Sequence, residues 1–269
     1  MINISNNTEI TSLSQLLEVV FHRYKKKWYR GESSDFGELK LIPSIFRQQK
    51  YNEKFLFHSF KCRHYEKYYH YNDFQWLCLM QHYDLPTRLL DWTTNPLISL
   101  YFATQLTKQD GFIYIMDPAD LNLRSESKGR GLYLSSNPLV EIRVAMIHTD
   151  KNRDELYRSK TFNLYPSFKK EELKKHLFKY FDYSIAISPE IMNSRMLAQS
   201  CCFTISGGIA TKLSKHLSIG DIANIEVIKI PYSAKKNIRN QLDQLSIHQG
   251  TLFPEIEYTS KHLKELLAE

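Results

Sequence analysis

The segment from Met80 to Thr104 has more hydrogen-bonding side chains than a packing linker needs, because each one, if buried, must find a partner. These side chains and two aromatic neighbours lie between two apolar helical patterns: His82, Tyr83, Thr87, Arg88, Asp91, Trp92, Thr93 and Asn95. Asn95 followed by Pro96 is typical of an N-cap and a first helical position. A helix N-terminus favours an anionic or polar ligand. The segment therefore predicts a ligand site. A buried polar latch, with Asp91 capping the helix or pairing with Arg88, is the alternative.

A second candidate is Arg30, at the end of a predicted short strand that runs from Trp28 to Gly31. Glycine has no Cβ, so Gly31 would permit a ligand to approach the backbone closely. A planar guanidinium at this position is suited to bind phosphate through two parallel hydrogen bonds. The alternative is a structural arginine that pairs with a buried carboxylate.

Four pieces of the chain together resemble the FRG domain, a bacterial domain named for an aromatic-Arg-Gly motif near its start. They are Trp28-Tyr29-Arg30-Gly31, in which Tyr replaces Phe, residues 80–104, residues 194–199 followed by Phe203-Thr204, and residues 251–257 with the helix after them. The resemblance spans Trp28 to about Leu267. Ser200-Cys201-Cys202 departs from the family, which tends to have a glycine between the Gln and the Phe.

The layout is also similar to that of the ADP-ribosyltransferase superfamily, in which an arginine on the first strand binds NAD and a strand with hydroxyl residues runs into a helix. The resemblance gives Arg30 the first role and Thr93 and Thr94 the second. It implies NAD as the cofactor, with Tyr83 and Trp92 as rings that can stack on nicotinamide. The implied cofactor-binding residues are Tyr29, Arg30, Gly31, His82, Tyr83, Thr87, Arg88, Asp91, Trp92, Thr93 and Asn95.

The superfamily also has a glutamate on a later strand, which stabilises the cationic sugar of the transition state. The candidates for this catalytic position, beside Arg30, are Glu257 in a predicted loop and Gln199 on a predicted strand. Gln199 is an amide and carries no charge. Three alternatives stay open: Glu257 folds back into the cleft, the site works with Gln199, or the domain binds a nucleotide without cleaving it. Glu257 also suits a capping role at the last helix.

Hydrophobic periodicity predicts the elements that must position these residues. Helices are predicted at residues 13–24, 52–70, 74–82, 96–106, 170–179, 234–245 and 258–268, and strands at residues 28–31, 112–116, 195–205 and 225–230. They interleave without the regular alternation of a doubly wound sheet, so the expected class is α+β. The resemblance implies a split mixed sheet of the ADP-ribosyltransferase type with surrounding helices. We expect an N-terminal helix within residues 1–27, packed on a single domain of residues 28–269.

The composition limits the classes of function. The 269 residues are 42% hydrophobic, enough for one large or two small domains, and the net charge of +7 favours a polyanionic partner. Four cysteines indicate a reducing compartment, and Cys62 and Cys78 are predicted in the core. No Walker loop, GxGxxG, GxSxG or metalloprotease histidine pair is present, so no metal is expected and the common nucleotide hydrolases, dehydrogenases and serine hydrolases are disfavoured.

No apolar run reaches the length of a membrane span, and the N-terminus has no signal-peptide pattern, so we expect a soluble, cytoplasmic protein without a membrane partner. The leading interpretation is an NAD-dependent, ADP-ribosyltransferase-like effector, a toxin or anti-phage component that modifies nucleic acid or protein. The first alternative is a non-catalytic nucleic-acid-binding module, favoured by the basic charge and the many tyrosines. The second is a partner-binding subunit held by an antitoxin or chaperone.

Overall fold

The centre of the molecule is an open mixed sheet, seen in a computed structural model that describes residues 4–21, 26–37, 41–48, 51–105, 108–126, 131–148, 183–208, 219 and 222–268. The described strands are β1 Ile4–Glu9, β2 Trp28–Glu32, β3 Leu89–Thr93, β4 Gly111–Met116, β5 Tyr133–Leu134, β6 Ile185–Ser188, β7 Cys201–Ile205 and β8 Ile225–Ile230. Their order across the sheet is β1-β8-β4-β2-β3-β7-β6-β5. The β1–β8 and β5–β6 pairs are parallel and the others are antiparallel. The expected α+β class with a mixed sheet is confirmed.

The described helices surround this sheet. They are α1 Leu13–Phe21, α2 Ser44–Gln48, α3 Glu53–Tyr68, α4 Asp73–His82, α5 Pro96–Ala103, α6 Pro118–Glu126, α7 Pro138–Ala145, α8 Ser194–Ala198, α9 Tyr232–Gln244, α10 Gln249–Leu252 and α11 Ile256–Leu266. A short 3₁₀ turn, Met146–His148, follows α7. The helix predicted at residues 170–179 lies outside the described residues.

The two halves of the sheet meet at a single pair of residues. Strand β2 pairs with β4 over five residues, and β3 pairs with β7 over five, but β2 pairs with β3 only through Tyr29 and Thr93. The sheet is therefore continuous, and its two halves separate on either side of this one contact. This separation positions the cleft described below.

Both faces of the sheet are covered by apolar side chains. On one face, two buried clusters pack against the helices, one around Trp76 of α4 and the other around Tyr101 of α5. The opposite face carries a third cluster that includes Trp28 and Trp92. Alternation along the strands produces these two faces, because successive side chains of a strand point in opposite directions.

The N-terminal segment is part of this architecture. Strand β1, which the hydrophobic pattern did not predict, pairs with β8 at the sheet edge. Helix α1 buries Leu16, and the backbone N–H of Leu13 donates to Oε1 of Gln241 in α9 at 3.0 Å. Residues 4–21 therefore pack directly on the elements that follow them.

Two local predictions were wrong. The strand predicted from Arg195 to Ile205 is helical in its first part, because the side chain of Asn193 accepts a hydrogen bond from the N–H of Met196 and caps helix α8. Only Cys201–Ile205 is a strand. Cys62, predicted in the core, is exposed on α3, whereas Cys78 is buried as predicted.

Two glycines let helix α5 pack against the backbone of β2 and β4. A Cβ on Gly31 would lie 1.9 Å from the carbonyl oxygen of Ser99, and one on Gly111 would lie 2.1 Å from that of Ala103. The group that approaches Gly31 most closely is therefore the backbone of α5.

We expect Gly31→Ala to lower the free energy of unfolding by about 3 kcal/mol, near the top of the usual range for an overpacked core. The added methyl group would have to displace helix backbone, which cannot rotate away as a flexible side chain can. Chemical denaturation measures the loss. Gly131→Ala is the matched control, because a Cβ there meets no atom within 4 Å, and it should change stability by less than about 0.5 kcal/mol. Equal stability of the two variants would contradict this account of Gly31.

Candidate functional site

A cleft of about 270 Å³ opens where β2 and β3 separate. Its walls come from the end of α4, from α5, from α8 and from β7, so segments far apart in sequence contribute to it. The lining residues are Tyr29, Arg30, Gly31, Cys78, Gln81, His82, Asp84, Asp91, Trp92, Thr93, Ile98, Phe102, Asn193, Arg195, Met196, Gln199, Cys201 and Phe203. Seven of the residues predicted from the 80–104 segment and the aromatic-Arg-Gly motif therefore line the cleft, together with a second group of residues between Asn193 and Phe203.

Arg30 lies between the separating strands and bridges them. Its Nε donates to Oε1 of Glu32 at 2.9 Å, and its Nη1 donates to the backbone oxygen of Asp91 at 2.8 Å. The Glu32 side chain is only 2% exposed, and Arg47 lies 3.9 Å from the same oxygen. Arg30 thus pairs with a buried carboxylate, as the structural alternative required, and it also lines the cleft, as the ligand interpretation required. Within the described residues the Nη2 group of Arg30 makes no hydrogen bond, so this edge of the guanidinium can donate to a ligand.

Asp91 is the carboxylate that β3 presents to the cleft. Its side chain is 49% exposed, and Oδ2 accepts a hydrogen bond of 2.7 Å from Nε2 of Gln81. Gln81 is itself oriented by Thr87, whose hydroxyl donates to Oε1 of Gln81 and accepts from the N–H of Leu89. Oδ2 also lies 3.9 Å from Nη1 of Arg30. Asp91 is therefore a fixed but accessible negative charge next to a cation.

Arg88 does not line the cleft. Its side chain is fully buried and pairs with both carboxylate oxygens of Glu53, while Nη1 donates to the backbone oxygens of Arg143 and Ser206. The pairing of Arg88 with Asp91 that was one alternative for this segment is not formed. The polar latch exists, but its acidic partner comes from the start of α3.

The wall opposite Arg30 contains a second arginine and a histidine. Nη1 of Arg195 donates to the backbone oxygen of His82 at 3.3 Å and lies 3.9 Å from Oε1 of Glu255, which is 3.5 Å from Nε2 of His82. The Arg195 guanidinium also stacks over Phe253, 4.5 Å from the ring centroid. Burial lowers the pKa of His82 below its ordinary value, Arg195 lowers it further, and Glu255 opposes both. His82 is therefore neutral at pH 7, so it can accept a proton.

The predicted hydroxyl and amide residues hold the cleft together. The Thr93 hydroxyl donates to the backbone oxygen of Gln199 at 2.8 Å, and Asn95 caps α5 by accepting from the N–H of Leu97. Gln199 ends α8 and lines the cleft, but its Nε2 donates to the backbone oxygen of Leu252. Thr94 is exposed and lies outside the lining residues.

The two rings predicted to stack on nicotinamide, Trp92 and Tyr83, lie in different environments. Trp92 is buried with the cluster on the opposite face of the sheet, and its indole N–H donates to the Thr204 hydroxyl. Tyr83 is 56% exposed and is not a lining residue. The predicted Tyr29 lines the cleft, as do Phe102 and Phe203, which the sequence interpretation had not selected.

Glu257 lies in the first turn of α11, is exposed and does not line the cleft. An acidic side chain in this position interacts favourably with the helix dipole, in agreement with the capping alternative. The carboxylate from this segment that approaches the cleft is Glu255, two residues earlier. No sequence signal distinguished the two, because the direction of each side chain depends on how α11 packs.

The two thiols of the cleft are not activated. Burial raises the pKa of Cys201 to about 12 and raises that of Cys78 further above its ordinary value, and nearby Asp91 adds to both effects. The thiolate is the nucleophilic form of cysteine, so these thiols are inert at neutral pH. The chemistry of the cleft rests on its charged and amide groups.

Gln81 and Arg195 are the lining residues that sequence reasoning could have found. Gln81 immediately precedes His82, and Arg195 lies within the 194–199 piece that contains Gln199. The partners of Gln81, Thr87 and Asp91, lie in the same 80–104 segment, whereas those of Arg195 lie in other parts of the chain.

Comparison with known proteins gives one match. Residues 25–111 match the family model of the FRG domain, a range that includes β2, β3 and the first residue of β4. Arg30, Gly31 and Asp91 lie inside the matched range, whereas residues 194–204 and 251–257 lie beyond it. Comparison with the curated proteins found no significant match, and comparison with the solved structures found none either.

The described helices do not include one that is both long and apolar enough to cross a lipid bilayer.

Proposed function

We propose that the cleft binds NAD and transfers its ADP-ribose group to a nucleic-acid or protein target, as an ADP-ribosyltransferase-like effector. The observation that carries the proposal is the half-exposed carboxylate of Asp91, fixed by Gln81 in a cleft that also contains Arg30 and Arg195. The setting of a toxin or anti-phage component rests on the family resemblance alone.

The reaction needs a carboxylate and arginine side chains, and both kinds of group line the cleft. Cleavage of the bond between nicotinamide and ribose develops positive charge on the sugar, and a fixed carboxylate stabilises that charge. Arginine binds the two phosphates of NAD through its planar donors. Asp91 supplies the charge for the first task in this proposal, in place of Glu257 and Gln199, because Glu257 is outside the cleft and the Gln199 amide is neutral.

The cleft also suits the size and polarity of half a dinucleotide. Ligand sites usually occupy about 300–1,000 Å³, and the 270 Å³ cavity lies just below this range, so it can hold part of a dinucleotide. Phe102 and Phe203 offer ring surfaces to nicotinamide. In this proposal His82, whose Nε2 lies 3.5 Å from Oε1 of Glu255, accepts the proton of an attacking hydroxyl.

Arg30→Lys tests the phosphate contact. We expect the variant to fold with less than about 1 kcal/mol of lost stability, since an ammonium group can still pair with Glu32. Its affinity for NAD should fall at least about tenfold, because lysine lacks the planar pair of donors. Calorimetric titration with NAD measures the affinity, and release of nicotinamide from labelled NAD in the presence of cell extract measures turnover.

Arg47→Lys is the matched control, because Arg47 contacts the same Glu32 oxygen from outside the cleft. It should bind NAD as the parent does. The proposal is wrong if the parent neither releases nicotinamide nor transfers label, or if folded Arg30→Lys binds NAD with parental affinity. Binding of RNA or DNA that weakens steeply with salt, without nicotinamide release, would instead support the non-catalytic nucleic-acid-binding alternative.

A further inference from the structure

Three possible metal ligands meet away from the cleft, at the C-terminal end of α9. Asp243 lies in the last turn of α9, His248 precedes α10, and His262 lies in α11. One ligand atom from each lies within 4.8 Å of the other two. The two imidazole rings are stacked, with centroids 3.9 Å apart and an angle of 10° between their planes.

His248 carries a second indication of a ligand. Its Nδ1 is buried and has no hydrogen-bond partner among the described residues. Buried side-chain nitrogens are nearly always paired, so an unpaired one requires an explanation. Coordination through Nδ1 would supply the partner that this nitrogen lacks.

The backbone around His248 is held in place before any ion binds. The Thr251 hydroxyl donates to the backbone oxygen of Ser246 at 2.7 Å and accepts from the N–H of His248 at 3.2 Å. Gly250 lets His262 lie close, because a Cβ there would be 2.9 Å from Cδ2 of that ring. The surroundings therefore hold the two rings next to each other.

We propose that Asp243, His248 and His262 bind a divalent transition-metal ion of the Zn²⁺ type. Two imidazoles and one carboxylate are a common ligand set for Zn²⁺, with water in the fourth position. The carbonyl end of α9 adds partial negative charge, which favours a cation. The stacked rings need to tilt so that their lone pairs converge on one ion.

A metal ion at this position would stabilise one wall of the cleft. It would join the end of α9, the start of α10 and α11, and the segment from Leu252 to Glu255 contacts the cleft residues directly. The backbone oxygen of Leu252 accepts from Gln199, and Glu255 lies next to His82 and Arg195. The ion would therefore fix the segment that places Glu255.

The test is a Zn²⁺ titration of the full chain, after chelator treatment, in competition with a chromogenic chelator. We expect one ion per chain, and affinity at least about tenfold weaker in both His262→Ala and Asp243→Asn. Asp243 is exposed, so Asp243→Asn should fold even if His262→Ala does not. Zn²⁺ should raise the melting temperature of the parent and not that of the variants.

His58→Ala is the matched control. His58 also contacts a histidine next to an aspartate, with Nε2 3.3 Å from Nδ1 of His148, but the three side chains do not converge on one point. It should bind Zn²⁺ as the parent does. The proposal is overturned if the parent binds no Zn²⁺, if Asp243→Asn keeps the parental affinity, or if His58→Ala weakens binding as much as the other variants do.

Discussion

Arg88→Ala is expected to lower the free energy of unfolding by about 3–5 kcal/mol, because it leaves the carboxylate of Glu53 buried without its charged partner. Arg88 is fully buried, and its guanidinium also satisfies the backbone oxygens of Arg143 and Ser206. These groups join α3, α7 and the end of β7, so three parts of the molecule lose contacts at once. Chemical denaturation of the parent and the variant measures the difference.

Arg124→Ala is the control for removal of an arginine from an ion pair. Arg124 pairs with Asp120 on the surface of α6, one turn away, and its loss should cost less than about 1 kcal/mol. Asp91→Ala should also cost less than about 1 kcal/mol, since Asp91 is half exposed and does not pair with Arg88. If Arg88→Ala is as stable as Arg124→Ala, the buried pair does not have the role given to it here.

Asp91→Asn is expected to reduce the rate of nicotinamide release by about 10²–10³-fold, the usual effect of removing one group that stabilises transition-state charge. The amide can still accept the hydrogen bond from Gln81, so the shape of the cleft and the affinity for NAD should change little. The change thus removes the charge and keeps the geometry. Measurement of kcat and of the NAD dissociation constant separates the two effects.

Asp84→Asn provides the comparison, because Asp84 also lines the cleft but is exposed at its rim. Asp84 has a positive φ of 57°, which asparagine tolerates, so the Asp84→Asn variant should retain the fold. Its turnover should equal that of the parent. A parental rate in Asp91→Asn would show that another group stabilises the cationic sugar, whereas equal losses in both variants would point to the overall charge of the cleft.

The sequence determined those features that depend on near neighbours. Asn95 and Pro96 predicted the start of α5, and Asn52 caps α3 at the boundary expected from the pattern. The β-branched run of β8 gave a strand at the predicted residues, Ile225–Ile230. Caps, proline and side-chain branching act on the dihedral angles of adjacent residues, so they can be interpreted without knowledge of the fold.

Only the tertiary structure decided which of the selected side chains share a site. Arg88 pairs with Glu53, 35 positions earlier, whereas Asp91, three positions later, turns into the cleft. Glu255 immediately precedes α11 and approaches the cleft, whereas Glu257, in the first turn of the same helix, does not. A side chain's partners depend on which distant segments pack together. That packing follows from the burial of apolar surface over the whole chain, which local pattern does not encode.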